Sequence, residues 1–171
     1  VHATEVHEGE NFRFGYRAEA GVSGPDGLSA LGRALGFGVR TYAPLILRGA
    51  PVSSSRIRAL IAAGNVSAAR ALLGAPFAID STPAPGRGYG TRFTVPTINL
   101  APYPDLLPAH GVYIATLTVG SGPAPKTFQA VTNIGNRPTF GADSFAVESH
   151  LLNFHPLEGP QALTESTPLR L

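Results

Sequence analysis

Two oxygen-bearing side chains follow a proline in the segment "PTINL", residues 96–100. Thr97 and Asn99 are two residues apart, so on a strand both side chains would point to the same face. A hydroxyl and an amide carbonyl are hard oxygen ligands of the kind that Mg²⁺ accepts beside phosphate groups. The spacing therefore predicts a magnesium and phosphate site. The alternative is an ordinary strand in which Thr97 is a β-former and Asn99 closes the strand.

Glycines at alternate positions lie shortly before that segment, at Gly86, Gly88 and Gly90. Glycine lets backbone N–H groups approach phosphate oxygens closely, and successive N–H groups form an anion-binding concavity. The pattern is neither a Walker loop nor a dinucleotide fingerprint, because no Lys-Ser/Thr pair follows it and no helix opens after it. The glycines therefore indicate either a phosphate-binding loop or a plain hairpin turn.

A carboxylate occurs in the middle of the strand-like segment "FAVESHLLNF", residues 145–154. With a period of two, Glu148 and His150 take one face and Val147 and Leu151 take the other. A carboxylate at such a position is either a solvated surface group or a positioned general base. His150 is a possible neighbour of the base, although a lone histidine on a strand is more often structural.

Hydroxyl groups and arginines stand together at a predicted helix start in "VSSSRIRALIAAG", residues 52–64. Ser54, Ser55 and Arg58 would lie where free N–H groups and the helix dipole favour phosphate. Capping explains one serine of the run. Both anion binding and simple helix capping therefore remain possible for this segment. Arg137 in "TNIGNRPTF" likewise either binds a phosphate group or is an ordinary loop residue.

The elements that must position these residues fall into two regions. Up to residue 75, a helix ending at Gly36, a strand over 39–47 and two helices ending at Gly64 and Gly74 predict an α/β arrangement. From Pro76 onward the chain has short β-rich runs separated by Gly/Pro clusters. That texture predicts an antiparallel barrel or sandwich, with a boundary near residues 74–80.

The composition limits the functional class. The 171 residues are 43% hydrophobic, with 20 glycines and 16 prolines, which indicates a globular chain with many turns. No apolar run is long enough to span a membrane, no signal peptide is present and cysteine is absent, so we expect a soluble, cytoplasmic protein with no membrane partner. The net charge of +2 and the scattered arginines give no basic stripe, so no nucleic-acid partner is expected.

Several segments together resemble one family, the bacterial bifunctional riboflavin kinase/FMN adenylyltransferases, also called FAD synthetases. The matching segments stand in the family's order: "GENFRFG" (9–15), "VSSSRIR" (52–58), "ARALLGAPFAI" (69–79), "GRGYGTRFTVPTINL" (86–100), "GVYIATLTV" (111–119), "TNIGNRPTF" (132–140) and "VESHLLNF" (147–154). No single segment is specific, but the set is, and it covers nearly the whole chain.

The resemblance implies two modules. Residues 1–75 resemble the C-terminal part of an FMN adenylyltransferase domain with a nucleotidyltransferase-like fold. In that module Asn11 would lie near the nucleotide, and Ser54, Ser55 and Arg58 match the motif that holds ATP phosphates. Residues 76–171 resemble the riboflavin kinase module, a mostly antiparallel β-barrel with Greek-key character.

For the kinase module the resemblance implies specific roles. Glu148 matches the catalytic base, Thr97 and Asn99 match residues that bind Mg²⁺ and ATP, and the glycines at 86, 88 and 90 match a mobile flap over the ATP phosphates. The family usually has alanine where Ile98 stands, and on a strand that side chain points away from Thr97 and Asn99. The implied reaction transfers the γ-phosphate of ATP to the 5′-hydroxyl of riboflavin, with FMN as product.

The resemblance also implies a fragment. The chain has no methionine, and the family has further residues before Val1 and after Leu171 that complete its two modules. Synthesis of FAD is therefore expected of the full-length protein only. The alternatives are an inactive fragment that still binds nucleotide or flavin, and a nucleic-acid-binding β-barrel, which the few strand aromatics disfavour.

Overall fold

The fold is described by a computed structural model. It describes residues 3–14, 24–84, 97–121, 125–136, 145–152 and 163–171. The chain divides into two compact units, Val1–Ser53 and Ser54–Leu171. Each unit is described by itself below.

The first unit is built on two parallel strands. β1 (Glu5–Gly9) pairs with β2 (Gly38–Tyr42), and helix α1 (Pro25–Leu35) lies between them in the chain. A short antiparallel hairpin of β3 (Ile46–Leu47) and β4 (Ala50–Pro51) follows. In this unit, therefore, a helix joins two parallel strands, as a parallel connection requires.

Helix α1 ends where the sequence predicts. Gly36 is its C-cap in the left-handed conformation, with φ of 81°. Gly32 is buried, and a Cβ there would lie 2.6 Å from the carbonyl oxygen of Phe37, so only glycine allows this close approach. The single strand predicted over 39–47 is wrong, because the chain leaves β2 after Tyr42 and pairs again only at Ile46. Pro44, between them, has no N–H group for a strand ladder.

An exposed charge cluster links β1 to β2. The guanidinium of Arg40 donates a hydrogen bond to the carboxylate of Glu5, and His7 Nε2 lies 3.1 Å from the same carboxylate. The hydrogen bond from Arg40 is the main cause that lowers the pKa of Glu5, and His7 lowers it further. The same bond raises the pKa of Arg40.

This cluster gives a prediction for acid stability. The folded-state pKa of Glu5 lies below its ordinary value of 4.5, so the ionised carboxylate stabilises the folded chain above that pH and the stabilisation is lost as the pH falls through the folded-state pKa. We expect Glu5→Gln to lower the thermal midpoint slightly at pH 7 in low salt and not at all at the acid end. Glu10→Gln is the control. If the thermal midpoint of Glu5→Gln stayed equally far below that of the unmodified protein at acid pH, the lowered pKa of Glu5 would be contradicted.

The second unit begins with two helices that follow the predicted start and stop signals. α2 (Ser54–Ala62) is followed by Gly64 at φ of 76°, and α3 (Val66–Leu73) begins after Asn65. The side chain of Asn65 accepts a hydrogen bond from the backbone N–H of Ala68 at 3.1 Å, which satisfies one of the free N–H groups of the first turn.

The rest of this unit is a six-stranded sheet in which every pair is antiparallel. In chain order the strands are β5 (Asp80–Ser81), β6 (Thr97–Asn99), β7 (Gly111–Val119), β8 (Lys126–Asn136), β9 (Phe145–Leu151) and β10 (Leu169–Arg170). Their order in the sheet is β5-β10-β7-β8-β9-β6. Because β10 returns to lie beside β7, strands β7 to β10 form a Greek key, as the resemblance implies.

The two edges of the sheet also meet. Just beyond β5 and β6, the N–H of Ala84 donates to the carbonyl of Asn99, and the N–H of Ala101 donates to the carbonyl of Thr82, both at 2.8 Å. The sheet therefore curls into a barrel-like arrangement. Its inward side chains form one apolar core, made of Ile79, Ile98, Leu100, Leu117, Val119, Ala130, Ile134, Val147, Leu151 and Leu169.

The two compact units divide at Ser53/Ser54, whereas the predicted module boundary lies near residue 75. Helices α2 and α3 belong to the same compact unit as the sheet, and the turn between the two helices contacts the sheet directly. A Cβ at Gly64 would lie 2.8 Å from the hydroxyl oxygen of Tyr113 on β7, so the turn is in close contact with the sheet. The assignment of residues 1–75 to one enzyme module and 76–171 to another stays a prediction.

Gly64 and Gly74 give a matched pair of variants. Both have positive φ, so alanine costs about 1–2 kcal/mol of backbone strain at either position. Only at Gly64 does the added methyl also meet Tyr113, whose hydroxyl donates to the Ala109 carbonyl at 2.6 Å. We expect Gly64→Ala to lower the free energy of unfolding by about 1 kcal/mol more than Gly74→Ala in urea denaturation. Equal losses would show that the turn does not press on the sheet.

Candidate active site

The predicted metal ligands lie on the outward face of β6. Thr97 is exposed, Asn99 is half-buried, and Ile98 between them is only 6% exposed and belongs to the core. The alternation places the hydroxyl and the amide on one face. It also confirms the prediction that the Ile98 side chain points away from them.

The predicted base lies on the matching face of β9. Val147, Ser149 and Leu151 point into the core, so Glu148 and His150 point outward, where both are half-buried. The carboxylate is therefore partly shielded from water while its strand is fixed by the core on the other side. This is the face assignment that the period of two predicts.

Strand pairing brings these residues together. Asn99 is directly opposite Glu148 across β6 and β9, and Thr97 is directly opposite His150. Directly opposite residues in antiparallel strands have Cβ atoms about 4.5–5.5 Å apart, and diagonal neighbours about 7–8 Å. Glu148 thus has the amide of Asn99 beside it and the hydroxyl of Thr97 at the diagonal position.

A further amide borders Glu148 on its other side. Asn133 of β8 is directly opposite Glu148, so Asn99, Glu148 and Asn133 form one row across three strands. Sequence reasoning missed Asn133. The available signal was a polar residue between Thr132 and Ile134 on a strand, but only the pairing shows that it faces the carboxylate.

A histidine that sequence reasoning also missed lies beyond this row. His110 precedes β7, and its ring is tilted against that of Phe145 with centroids 5.6 Å apart. A Cβ at Gly135, which is buried at φ of 154°, would lie 3.6 Å from the Cβ of His110. That is an ordinary van der Waals distance, so His110 lies against β8 two residues along the strand from Asn133.

The residues predicted to serve adenylyl transfer belong to both units. Ser54 and Ser55 begin α2, and both are exposed. Arg58, also exposed, donates from Nη1 to Ser54 Oγ at 3.3 Å in the first turns of this helix. Asn11 lies in the first unit, within the turn that follows β1. The contact between Arg58 and Ser54 thus brings together two of the three residues predicted to bind phosphate at the start of α2.

A cavity of about 400 Å³ lies close to Asn11 in the first unit. Its lining includes the neighbouring residues Glu10 and Arg13 and the start of α1. Thr41 also lines it and pairs with Glu8, whose two carboxylate oxygens are buried with no hydrogen-bond partner in the described parts of the chain. Polar groups thus converge at the carboxyl ends of the two parallel strands, where open α/β sheets commonly bind ligands.

A larger cavity, of about 820 Å³, lies in the second unit between α3 and the sheet. Its lining is mainly apolar and includes Val66, Phe77 and Tyr113. Thr97, Asn99 and Glu148 are not among its lining residues.

Some predicted site residues lie outside the described residues. These are the glycines Gly86, Gly88 and Gly90, and Arg137. Within the described ranges, no group of three or more His, Cys, Asp or Glu side chains is arranged to hold a metal ion. In those same ranges, no helix is long and apolar enough to cross a membrane.

Comparisons with known proteins agree with the kinase resemblance. A protein-family model described as flavokinase, riboflavin kinase, matches residues 73–165. The chain is 33% identical over 150 residues to the bifunctional riboflavin kinase/FMN adenylyltransferase of Escherichia coli strain K12, a match that covers 85% of this chain and 44% of that protein. The Haemophilus influenzae protein of the same name is 29% identical over 154 residues, covering 90% and 48%.

A solved structure shares the fold. A crystal structure from Streptococcus pneumoniae, described as a macrolide-efflux protein, matches with a TM-score of 0.66 and 25% identity, over 95% of this chain and 48% of that one. The chain thus spans less than half the length of each of these three relatives.

Proposed function

Since this chain belongs to the riboflavin kinase family, we propose that it transfers the γ-phosphate of ATP to the 5′-hydroxyl of riboflavin, giving FMN and ADP. The observation that carries the proposal is the cross-strand row in which Glu148 lies directly opposite Asn99, with Thr97 on the same face. A base and two oxygen ligands beside one another are what phosphoryl transfer to a hydroxyl requires.

Glu148 is the proposed base. Its carboxylate accepts the proton of the 5′-hydroxyl while that oxygen forms a bond to the γ-phosphorus. The bond from the γ-phosphorus to the bridging oxygen breaks on the opposite side, and ADP leaves. Glu148 is half-buried on a strand whose other face packs in the core. The carboxylate is therefore held close to its reactive orientation before the reaction begins.

Thr97 and Asn99 fit a magnesium site by their chemistry. Both offer neutral hard oxygens from one outward face, and Glu148 supplies negative charge beside them. Bound Mg²⁺ would neutralise charge on the ATP phosphates. The glycines at 86, 88 and 90 are proposed as the flap over these phosphates, since glycine backbone N–H groups approach phosphate oxygens without steric hindrance.

The first 75 residues are proposed to belong to an FMN adenylyltransferase module of nucleotidyltransferase-like fold, active only in the longer protein. Three observations support this: the parallel β1–β2 pair joined by α1, the cavity beside Asn11, and the contact between Arg58 and Ser54 at a helix start. A helix N-terminus with an arginine favours phosphate groups.

The first test replaces the base. We expect Glu148→Gln to lower the rate of FMN formation by about 10²–10⁴-fold, because the amide cannot accept the proton, while riboflavin and ATP still bind. FMN is measured by chromatography and binding by calorimetry.

The matched control is Glu165→Gln, the same change at an exposed carboxylate of the same unit. A Glu148→Gln variant that retains full activity would overturn the assignment of the base. No FMN from the unmodified chain would instead support the ligand-binding fragment.

The second test concerns the metal ligands. We expect Thr97→Val to raise the Mg²⁺ concentration needed for half-maximal FMN formation, by roughly tenfold, because the variant keeps the β-branched shape and loses only the oxygen ligand. Thr116→Val, at an exposed outward position of β7, is the control. An unchanged Mg²⁺ dependence in Thr97→Val would exclude this hydroxyl as a ligand.

A further inference from the structure

Two hydroxyl groups are buried together beneath the proposed active site. Thr132 of β8 is 1% exposed and Ser149 of β9 is 0% exposed, and their hydroxyl oxygens lie 2.9 Å apart. They are the buried polar side chains among the described residues of the second unit. One hydroxyl donates to the other, so neither is left without a hydrogen bond in the core.

The pair is formed by one register of the strands. Ser149 is directly opposite Thr132 on one side and Ile98 on the other. The neighbouring inward positions on β8 are Ala130 and Ile134, which are apolar and buried. The hydroxyl of Ser149 therefore meets a hydroxyl of β8 only when it is opposite Thr132.

Hydrophobic alternation cannot by itself choose this register. A slip of one residue between β8 and β9 would turn Glu148 into the core, and alternation forbids it. If β9 slipped by two residues along β8, every apolar side chain would stay on the inward face, so hydrophobic alternation permits this slip. That slip would place Ser149 opposite Ala130 or Ile134 and leave its hydroxyl, like that of Thr132, buried without a partner.

The register decides what faces Glu148. In the observed pairing Glu148 is opposite Asn133, and after a two-residue slip it would be opposite Val131 or Gly135. We infer that the buried Thr132–Ser149 hydroxyl pair locks the register of β8 and β9, and that these two residues thereby position Glu148 in its row with Asn133 and Asn99. The consequence for catalysis rests on the proposed kinase function, whereas the lock itself does not.

The absence of cysteine from the sequence allows a direct test of register. Asn133→Cys with Glu148→Cys places two thiols opposite each other in the observed register, and Val131→Cys with Glu148→Cys does so only after a two-residue slip. Disulfide yields of both pairs are measured after the same mild oxidation, with Ser149 intact or replaced by alanine.

We expect the Asn133 pair to dominate while Ser149 is present, and Ser149→Ala to raise the relative yield of the Val131 pair several-fold. Leu151→Val, a destabilising change at a core position of the same strand, is the control and should leave the yields unchanged. Thr132→Ser keeps a hydroxyl at this position and should give the same disulfide yields as the protein with Thr132. Equal yields in the Ser149→Ala and Leu151→Val backgrounds would overturn the inference.

A kinetic test follows the same variants without the cysteines, at a temperature where circular dichroism shows each to be folded. Ser149→Ala should lower kcat by about tenfold or more with KM for ATP within about twofold, because the base is displaced while the nucleotide still binds. Leu151→Val and Thr132→Ser should keep kcat. If Leu151→Val lowered kcat as much as Ser149→Ala, the Thr132–Ser149 pair would have only a structural role. If the unmodified chain forms no FMN, the proposed function fails for this chain, and the disulfide yields still decide the lock.

Discussion

The pairing of β9 with β8 on one side and β6 on the other is the constraint on which the second unit depends. It buries Val147 and Leu151 in the core, and by the same alternation it turns Glu148 outward. It also places Asn99 and Asn133 on either side of that carboxylate. The same strand pairing therefore determines which residues form the core and which face the candidate site, so a change of register would alter both.

The local parts of the fold could be predicted from the sequence. The ends of α1 and α3 are marked by Gly36 and Gly74, and the start of α3 by Asn65, because caps are determined by residues close together in the chain. The faces of β6 and β9 followed from a period of two. Pro44 is a signal in the sequence against a continuous strand over 39–47, whereas the apolar residues after it favour one.

The non-local parts could not be predicted in this way. β5 and β10 have two residues each, and nothing in Asp80 or Leu169 distinguishes them from a loop until their partners are known. The same limit applies to the site. Thr97, Asn99 and Glu148 were found from residue type and spacing, but Asn133 and the Thr132–Ser149 pair acquire their meaning only from register, which is a property of two strands at once.

The position of β10 has a consequence for the order of folding. β7, β8 and β9 follow one another and pair with their neighbours in sequence, so their pairing closes comparatively short loops. β5 lies at the edge of the sheet and pairs with β10, where Ile79 and Leu171 exchange two backbone hydrogen bonds at 2.7 and 2.9 Å. The chain between these two residues must therefore be synthesised before that edge can form. Until then the backbone groups of β5 and β7 that pair with β10 have no partner strand, and unpaired strand edges are the places at which incomplete chains associate.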